Sequence, residues 1–334
     1  MSNTSDYAIP SFITTGSLYF CKATTVPLFL LSFILFPVYL HVNRVNRQRD
    51  EQTAVFPITN HFCDSVIASF ILMASFICFG WSFLYFGTSQ VFYYSMISAI
   101  FLGIDFLLLN AITEVQYILL ILLAVQRFLI YFVPKAERFV TPSKRVWIIF
   151  IAFLYIASLS KSALSYWWGI KGATSRENES KTKYRLHLFY KFIVYAILNL
   201  LLIAAALLYI PLMISIRKFS HLASSALNKP EKYVLFQTLE IVAMRIFFIP
   251  TFILCVSGDA EYPLLVFLYL AVITDSFFTP ITIQITYLCC NKRNVDTLLS
   301  LTFRRIFKVL LCPSDLPYQS SRVADISSTV APQN

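Results

Sequence analysis

The four histidines, His41, His61, His187 and His221, include no two at the spacing by which a helix face binds one metal ion, so oxygenase or zinc-hydrolase chemistry lacks a ligand set. The sequence has no G-x-S-x-G turn to present a serine nucleophile and no glycine-rich phosphate loop. Seven cysteines, an odd number, fall mostly inside apolar runs (Cys63, Cys78, Cys255, Cys289 and Cys290) and define neither a zinc site nor a disulfide framework. The expectation is a protein that is not an enzyme and uses no metal or cofactor. What remains is a set of polar side chains set into apolar sequence: Asp105, Asn110, Glu114, Gln116 and Arg127 in one run, with Lys161, Asn199, Arg245 and Asp275 in others. Such groups are costly in hydrocarbon unless they face a bundle interior, water or one another. Their chemistry is that of recognition and switching.

On a helical wheel Asp105, Gln116 and Arg127 fall within about 40° of one another and Glu114 points nearly opposite, so this helix must be covered on two sides, as a central one would be. Arg127, near the end of the run, can pair with Glu231 or Glu240 of a later segment or snorkel to the interface. Arg245 and Asp275 can pair across two further segments, lowering the cost of burying either. The candidates for lining a small-ligand cavity, chosen by depth and polarity, are Trp81, Tyr85, Asp105, Asn110, Tyr195, Asn199, Tyr269 and Asp275. For each the alternative is helix packing. Asp105 could anchor a cationic ligand or form a structural pair. Pro250 and Pro280 each remove a backbone hydrogen bond, which makes a kink that serves as a hinge or is tolerated as architecture.

The elements that must hold these residues follow from composition. Of the 334 residues, 58% are hydrophobic and 13% charged, against roughly 25% charged in a soluble domain. Too few charges are available to cover a surface in water, so much of that surface belongs in lipid. A span needs about 20 apolar residues, and seven runs meet that need: 24–42, 62–86, 99–132, 146–169, 188–215, 234–257 and 264–288. The fold class is an all-α membrane protein, a seven-transmembrane bundle occupying 24–290. It follows an N-terminal segment, 1–23, that lacks the features of a cleavable signal peptide.

Lys and Arg in short connections mark the cytoplasmic side. With the N-terminus outside, the inner segments hold seventeen basic residues and the outer segments six. The net charge of +10 thus reads as topology rather than nucleic-acid binding. Two N-x-[ST] sequons, at Asn3 and Asn178, fall on outer segments and are candidate glycosylation sites. Trp147 and the Trp167–Trp168 pair bracket the fourth run as interfacial belts would. Residues 291–312 form an amphipathic helix expected on the inner leaflet. It ends at Cys312, which is either a palmitoylation site or an unmodified cysteine. Residues 313–334, rich in Ser, Pro, Asp and Gln, read as a disordered cytoplasmic tail.

A transporter or channel also places ionisable groups in the membrane. Transporters, however, tend to break helices at Gly and Pro and to repeat halves, whereas glycine is scarce here, at seven residues. No filter-like loop or ring of charge is visible either. A non-signalling membrane scaffold is the third alternative. The residues LLAVQRFLIYFVPKAERF closing the third run, FPITNHF leading into the second and TPITIQITYLCCNKRN closing the seventh resemble those of nematode serpentine chemoreceptors, most closely class Z, over roughly residues 25–311. In that resemblance Gln126-Arg127-Phe128 stands for the acidic-Arg-aromatic triplet of rhodopsin-like receptors. The absence of cysteine between Cys78 and Cys255 removes the usual disulfide of those receptors, and Pro280 and Tyr287 are too far apart for their Asn-Pro-x-x-Tyr motif. The resemblance implies a chemosensory G-protein-coupled receptor in sensory-neuron cilia. It would bind an external small molecule, as in olfaction, and act on a heterotrimeric G protein through Arg127 and the inner basic loops, with the lipid bilayer as solvent.

Overall fold

A computed structural model describes residues 11–51, 56–88, 92–133, 143–174, 178–218, 236, 238–243, 246, 261–290 and 292–299. Its elements are helices: α1 (Ser11–Asp50), α2 (Phe56–Thr88), α3 (Phe92–Phe132), α4 (Lys144–Thr174), α5 (Asn178–Lys218), α6 (Glu261–Cys290) and the short α7 (Lys292–Leu299). A further helical stretch covers residues 238–243. Without water to bind exposed N–H and C=O groups, an apolar chain in lipid must satisfy its backbone internally, and the α-helix does so within one segment. Among the described residues five helical segments are long and apolar enough to cross a bilayer: Pro27–Arg47, Phe56–Phe83, Tyr93–Phe132, Lys144–Ser165 and Phe189–Leu212.

The helices outrun the apolar runs that nucleate them. α1 begins at Ser11, within the stretch assigned from sequence to an N-terminal segment, and α5 begins at Asn178, ahead of its run at 188. α3, with 41 residues, is about 60 Å long, twice the roughly 30 Å hydrocarbon core. Propagation costs little once a helix is nucleated, so polar flanks extend it past the lipid. Prolines lie inside α1 (Pro27, Pro37), α5 (Pro211) and α6 (Pro280). Around Pro280 the hydroxyls of Ser276 and Thr279 donate back to the carbonyls of Val272 and Asp275 at 2.8 and 2.6 Å, a local pattern that bends helices.

Side-chain contacts set the register. Ser75 meets Asp105 and Ser65 meets Gln116, so α2 and α3 run antiparallel. Asn110 meets Ser162 and Glu114 meets Ser158, which makes α3 and α4 antiparallel too. α1 and α6 run parallel, with Phe29 against Phe277 and Tyr39 against Tyr287. α3 is central, packing against α2, α4, α5 and α6. The end of the bundle where α1, α3 and α5 finish, the basic end, carries Arg44, Arg47, Lys144 and Arg145.

The larger core cluster lies toward the basic end and draws on α1 to α6 and the 238–243 stretch, with Tyr39, Val42, Ile58, Phe62, Leu119, Leu120, Leu123, Leu202, Tyr209, Ile241 and Ile283 buried. Trp147 belongs to it, buried at 9% exposure with its ring edge-on to Phe150. The belt role read from sequence is corrected for this residue. Its packing into the core on the inward face of α4 turns the indole toward protein and not toward lipid. Trp167, 59% exposed near the other end of α4, faces outward.

Candidate functional site

The second core cluster, toward the opposite end, comprises Met73, Leu109 and Phe277 with Phe29, Leu72, Phe76 and Ile273 packed on them. All come from α1, α2, α3 and α6. At that level α3 and α4 meet through polar side chains instead. Ser158, Ser162 and Ser165 lie at i, i+4 and i+7 on α4, one face of a helix, and all three are buried. Opposite them on α3, Asn110 Nδ2 donates to Ser162 Oγ at 3.4 Å and Glu114 Oε2 accepts from Ser158 Oγ at 2.5 Å. Lys161 Nζ pairs with Glu114 Oε1, the two side chains 36% and 19% exposed. Each carboxylate oxygen therefore has a donor, which lowers the cost of a charge at this depth.

The third wall is α5. Its buried stripe runs through Leu202, Ala205, Tyr209 and Leu212. Continued by helical spacing toward the opposite end, that stripe reaches Asn199, Tyr195 and Lys191, each half-buried. Asn199 Nδ2 donates to the Tyr195 carbonyl at 2.7 Å, while its buried Oδ1 accepts no hydrogen bond among the described residues.

The α2 side of α3 carries the other half of its polar residues, in keeping with the wheel. Asp105 is buried and its Oδ2 accepts from Ser75 Oγ at 2.7 Å. Gln116 Nε2 donates to Ser65 Oγ at 2.5 Å. Toward α6, the Tyr117 and Thr279 hydroxyls share a hydrogen bond at 3.2 Å.

The residues singled out from sequence as cavity lining are thus not brought together as one set. Asn110 meets Ser162 of α4, and Tyr195 and Asn199 are joined to each other on α5. Asp105 belongs to the α2–α3 contact instead, and Asp275 is half-buried on α6. Trp81 and Tyr85, 72% and 71% exposed, point away from the interior. Aromatic type and depth gave no signal about which way α2 faces. The Tyr269 side chain, Pro250, Glu231, Arg245, Asn3 and Cys312 lie outside the described residues, and Asn178 is the first residue of α5. Arg127 is half-buried near the basic end of α3, and Glu240 is half-buried in the 238–243 stretch. Sequence reasoning noted Glu114 and Lys161 separately but not their pairing, and it passed over Lys191 and the serines of α4. Serines at i, i+4 and i+7 within an apolar run are the signal that would have found that face.

At the basic end α7 folds back on α1 and α6. Asn46 Nδ2 donates to Asn294 Oδ1 at 2.8 Å in a buried contact, and Asn294 Nδ2 donates to the Tyr287 carbonyl at 2.6 Å. One asparagine thereby ties three helices.

A bundle of apolar helices around a long central third helix, with paired polar side chains kept on its inward faces, defines a multi-pass membrane protein of serpentine architecture. Residues 22–292 match the family described as serpentine type 7TM GPCR chemoreceptor Srz, and the chain belongs to that family. No curated protein and no solved structure matches it.

Proposed function

We propose that this chain is a chemosensory G-protein-coupled receptor of the plasma membrane, multi-pass, with its N-terminus outside and its basic end toward the cytoplasm. It holds a small external ligand in the polar sector between α3, α4 and α5 and promotes nucleotide exchange on a heterotrimeric G protein. It performs no covalent chemistry. The observation that carries this reading is the set of polar contacts joining Asn110 and Glu114 on the central helix of a serpentine chemoreceptor to Ser158, Lys161 and Ser162 of α4. A mostly apolar bundle holding a few convergent polar groups is the usual make-up of a small-molecule site.

Ligand binding shifts the bundle between two arrangements by no more than its differential affinity for them. The tightly packed half near the basic end would carry that shift to Arg127, Glu240 and Glu231 and to the G protein. Sensory-neuron cilia, glycans on Asn3 and Asn178, and a palmitoyl group on Cys312 complete the proposal, and Pro250 and Pro280 would act as hinges.

A ligand library screened on cells displaying the receptor tests it. The expected result is a second-messenger change lost in Arg127→Ala and on G-protein inhibition, with surface display of an N-terminal tag unchanged. Uptake or current in a reconstituted bilayer without G protein would replace this reading by a transporter or channel. Silence in both assays despite surface delivery would leave a scaffold.

A further inference from the structure

A buried polar layer parts the two apolar clusters. On α1, Ser32 lies between Phe29 of the smaller cluster and Leu35 of the larger, and on α2 Ser69 lies between Met73 and Val66. On α3, Thr113 lies between Leu109 and Val115, and on α6 Thr279 and Thr282 lie between Phe277 and Ile283. All five of these hydroxyl side chains are buried. Gln284 of α6 reaches into the layer with its Nε2 3.5 Å from Ser32 Oγ, long for a hydrogen bond. Two oxygens here are left over. Gln284 Oε1 and Thr282 Oγ1 are buried and have no hydrogen-bond partner among the described residues. The hydroxyls of Thr279 and Thr286 donate to carbonyls one turn back, whereas that of Thr282 does not. Pro280, in the same turn, has no N–H to give the Ser276 carbonyl its helical bond. Three residues along α3 from Thr113, Gln116 Oε1 is unpartnered as well.

We infer that this layer binds internal water, held at Gln284 Oε1, Thr282 Oγ1 and the Ser276 carbonyl of α6. Folded proteins leave few buried polar atoms unmade, and where no side chain answers one, a buried water with about three hydrogen bonds does. In membrane helices, ordered waters also satisfy the carbonyl that a proline frees. Every side chain of α6 from 279 to 284 is buried, so these bonds must be met inside the bundle. The layer offers hydroxyls, carboxamides and a carbonyl, and no carboxylate among its described side chains. Neutral water therefore suits it better than a cation, whose charge would be buried unpaired. Solvent is thereby placed at Pro280, in the interior of the bundle.

The test uses the full chain in phosphatidylcholine nanodiscs, labelled by hydroxyl radicals from a short X-ray pulse and read by mass spectrometry. The radicals form from water in place, so a buried side chain is oxidised when bound water lies beside it. Ile281, buried between Pro280 and Thr282 and part of neither apolar cluster, is compared with Leu119, Leu120 and Leu123, buried in the larger one. The expected result is labelling of Ile281 about tenfold faster than that of the leucines, which have no polar partner to hold a water. The excess should be lost in the double variant Thr282→Val, Gln284→Met. Labelling of Ile281 as slow as that of the leucines overturns the inference, and if the double variant does not fold, the wild-type comparison decides. Stability gives a second reading. Thr282→Val keeps the shape of the side chain and removes its hydroxyl, which in a hydrated layer should lower the folding equilibrium constant about fivefold and in a dry one should raise it. A rise, or no change, overturns the inference. Stabilisation of the wild type by sodium over choline at equal ionic strength, absent in Gln284→Met, would put a cation in the place of water and overturn it as well.

Discussion

Replacing Glu114 by Gln leaves the Lys161 ammonium facing a neutral amide inside the bundle, and the cost can be worked from its surroundings. Fully exposed pairs are worth about 0.2–1 kcal/mol, whereas removing one partner of a buried pair costs about 3–5 kcal/mol. With side-chain exposures of 36% for Lys161 and 19% for Glu114, this pair stands between those limits. Ser158 loses a charged acceptor as well, while the long lysine stem can relieve part of the loss by snorkelling. These terms give about 2 kcal/mol for Glu114→Gln. A similar cost is expected for Lys161→Met, which strands the carboxylate. The double variant should recover most of the loss, since a neutral pair in an apolar setting is often no worse than an ion pair. With the double variant about 1 kcal/mol less stable than the wild type, the coupling energy is then about 3 kcal/mol. Reversible unfolding of the four proteins in mixed micelles, titrated with SDS and read by tryptophan fluorescence, measures it. A coupling below about 0.3 kcal/mol, the level at which independent sites add, would show that the two side chains do not hold α3 to α4.

Other consequences can be checked in the same preparation. Asn46→Ala leaves Asn294 Oδ1 buried without its donor, a loss of about 1–3 kcal/mol. It should appear as faster amide exchange in Lys292–Leu299 with little change in α3, and unchanged protection of α7 would refute the tie. Asp105→Asn keeps an acceptor for the Ser75 hydroxyl, so stability should change by less than about 0.5 kcal/mol. Asp105→Leu strands that hydroxyl and should cost about 1–2 kcal/mol. Because Asp105 faces α2 and not the α3–α4–α5 sector, the dose-response of Asp105→Asn to any agonist should match that of the wild type. A cationic agonist whose response vanished in Asp105→Asn would return that residue to the ligand site.

Much of the architecture is legible in the chain because its cause is local. A run such as Phe189–Leu212 forms a helix and belongs in lipid by composition alone. The placing of Asp105 and Gln116 on one side of α3, with Glu114 on the other, needed only the helical repeat, and their partners Ser75, Ser65 and Lys161 lie where that geometry puts them. The same repeat could not say how each helix is turned relative to its neighbours. Trp81 and Tyr85 look like cavity aromatics in sequence, yet the rotation of α2 sends them outward. Trp147 looks like a belt residue, and the packing of α4 draws it inward. Asn46 and Asn294, 248 residues apart, meet only because α7 doubles back.

The sequence by itself determined the solvent, the helical segments and the polarity of each helix face, since hydrocarbon leaves a backbone few ways to satisfy its own hydrogen bonds and 3.6 residues per turn assigns the faces. Tertiary structure alone decided which faces meet. It joined Glu114 to Lys161 and turned Asp105 toward Ser75 of α2. Interhelical rotation and register are set by side-chain packing summed over many weak contacts, and no single stretch of chain encodes that sum.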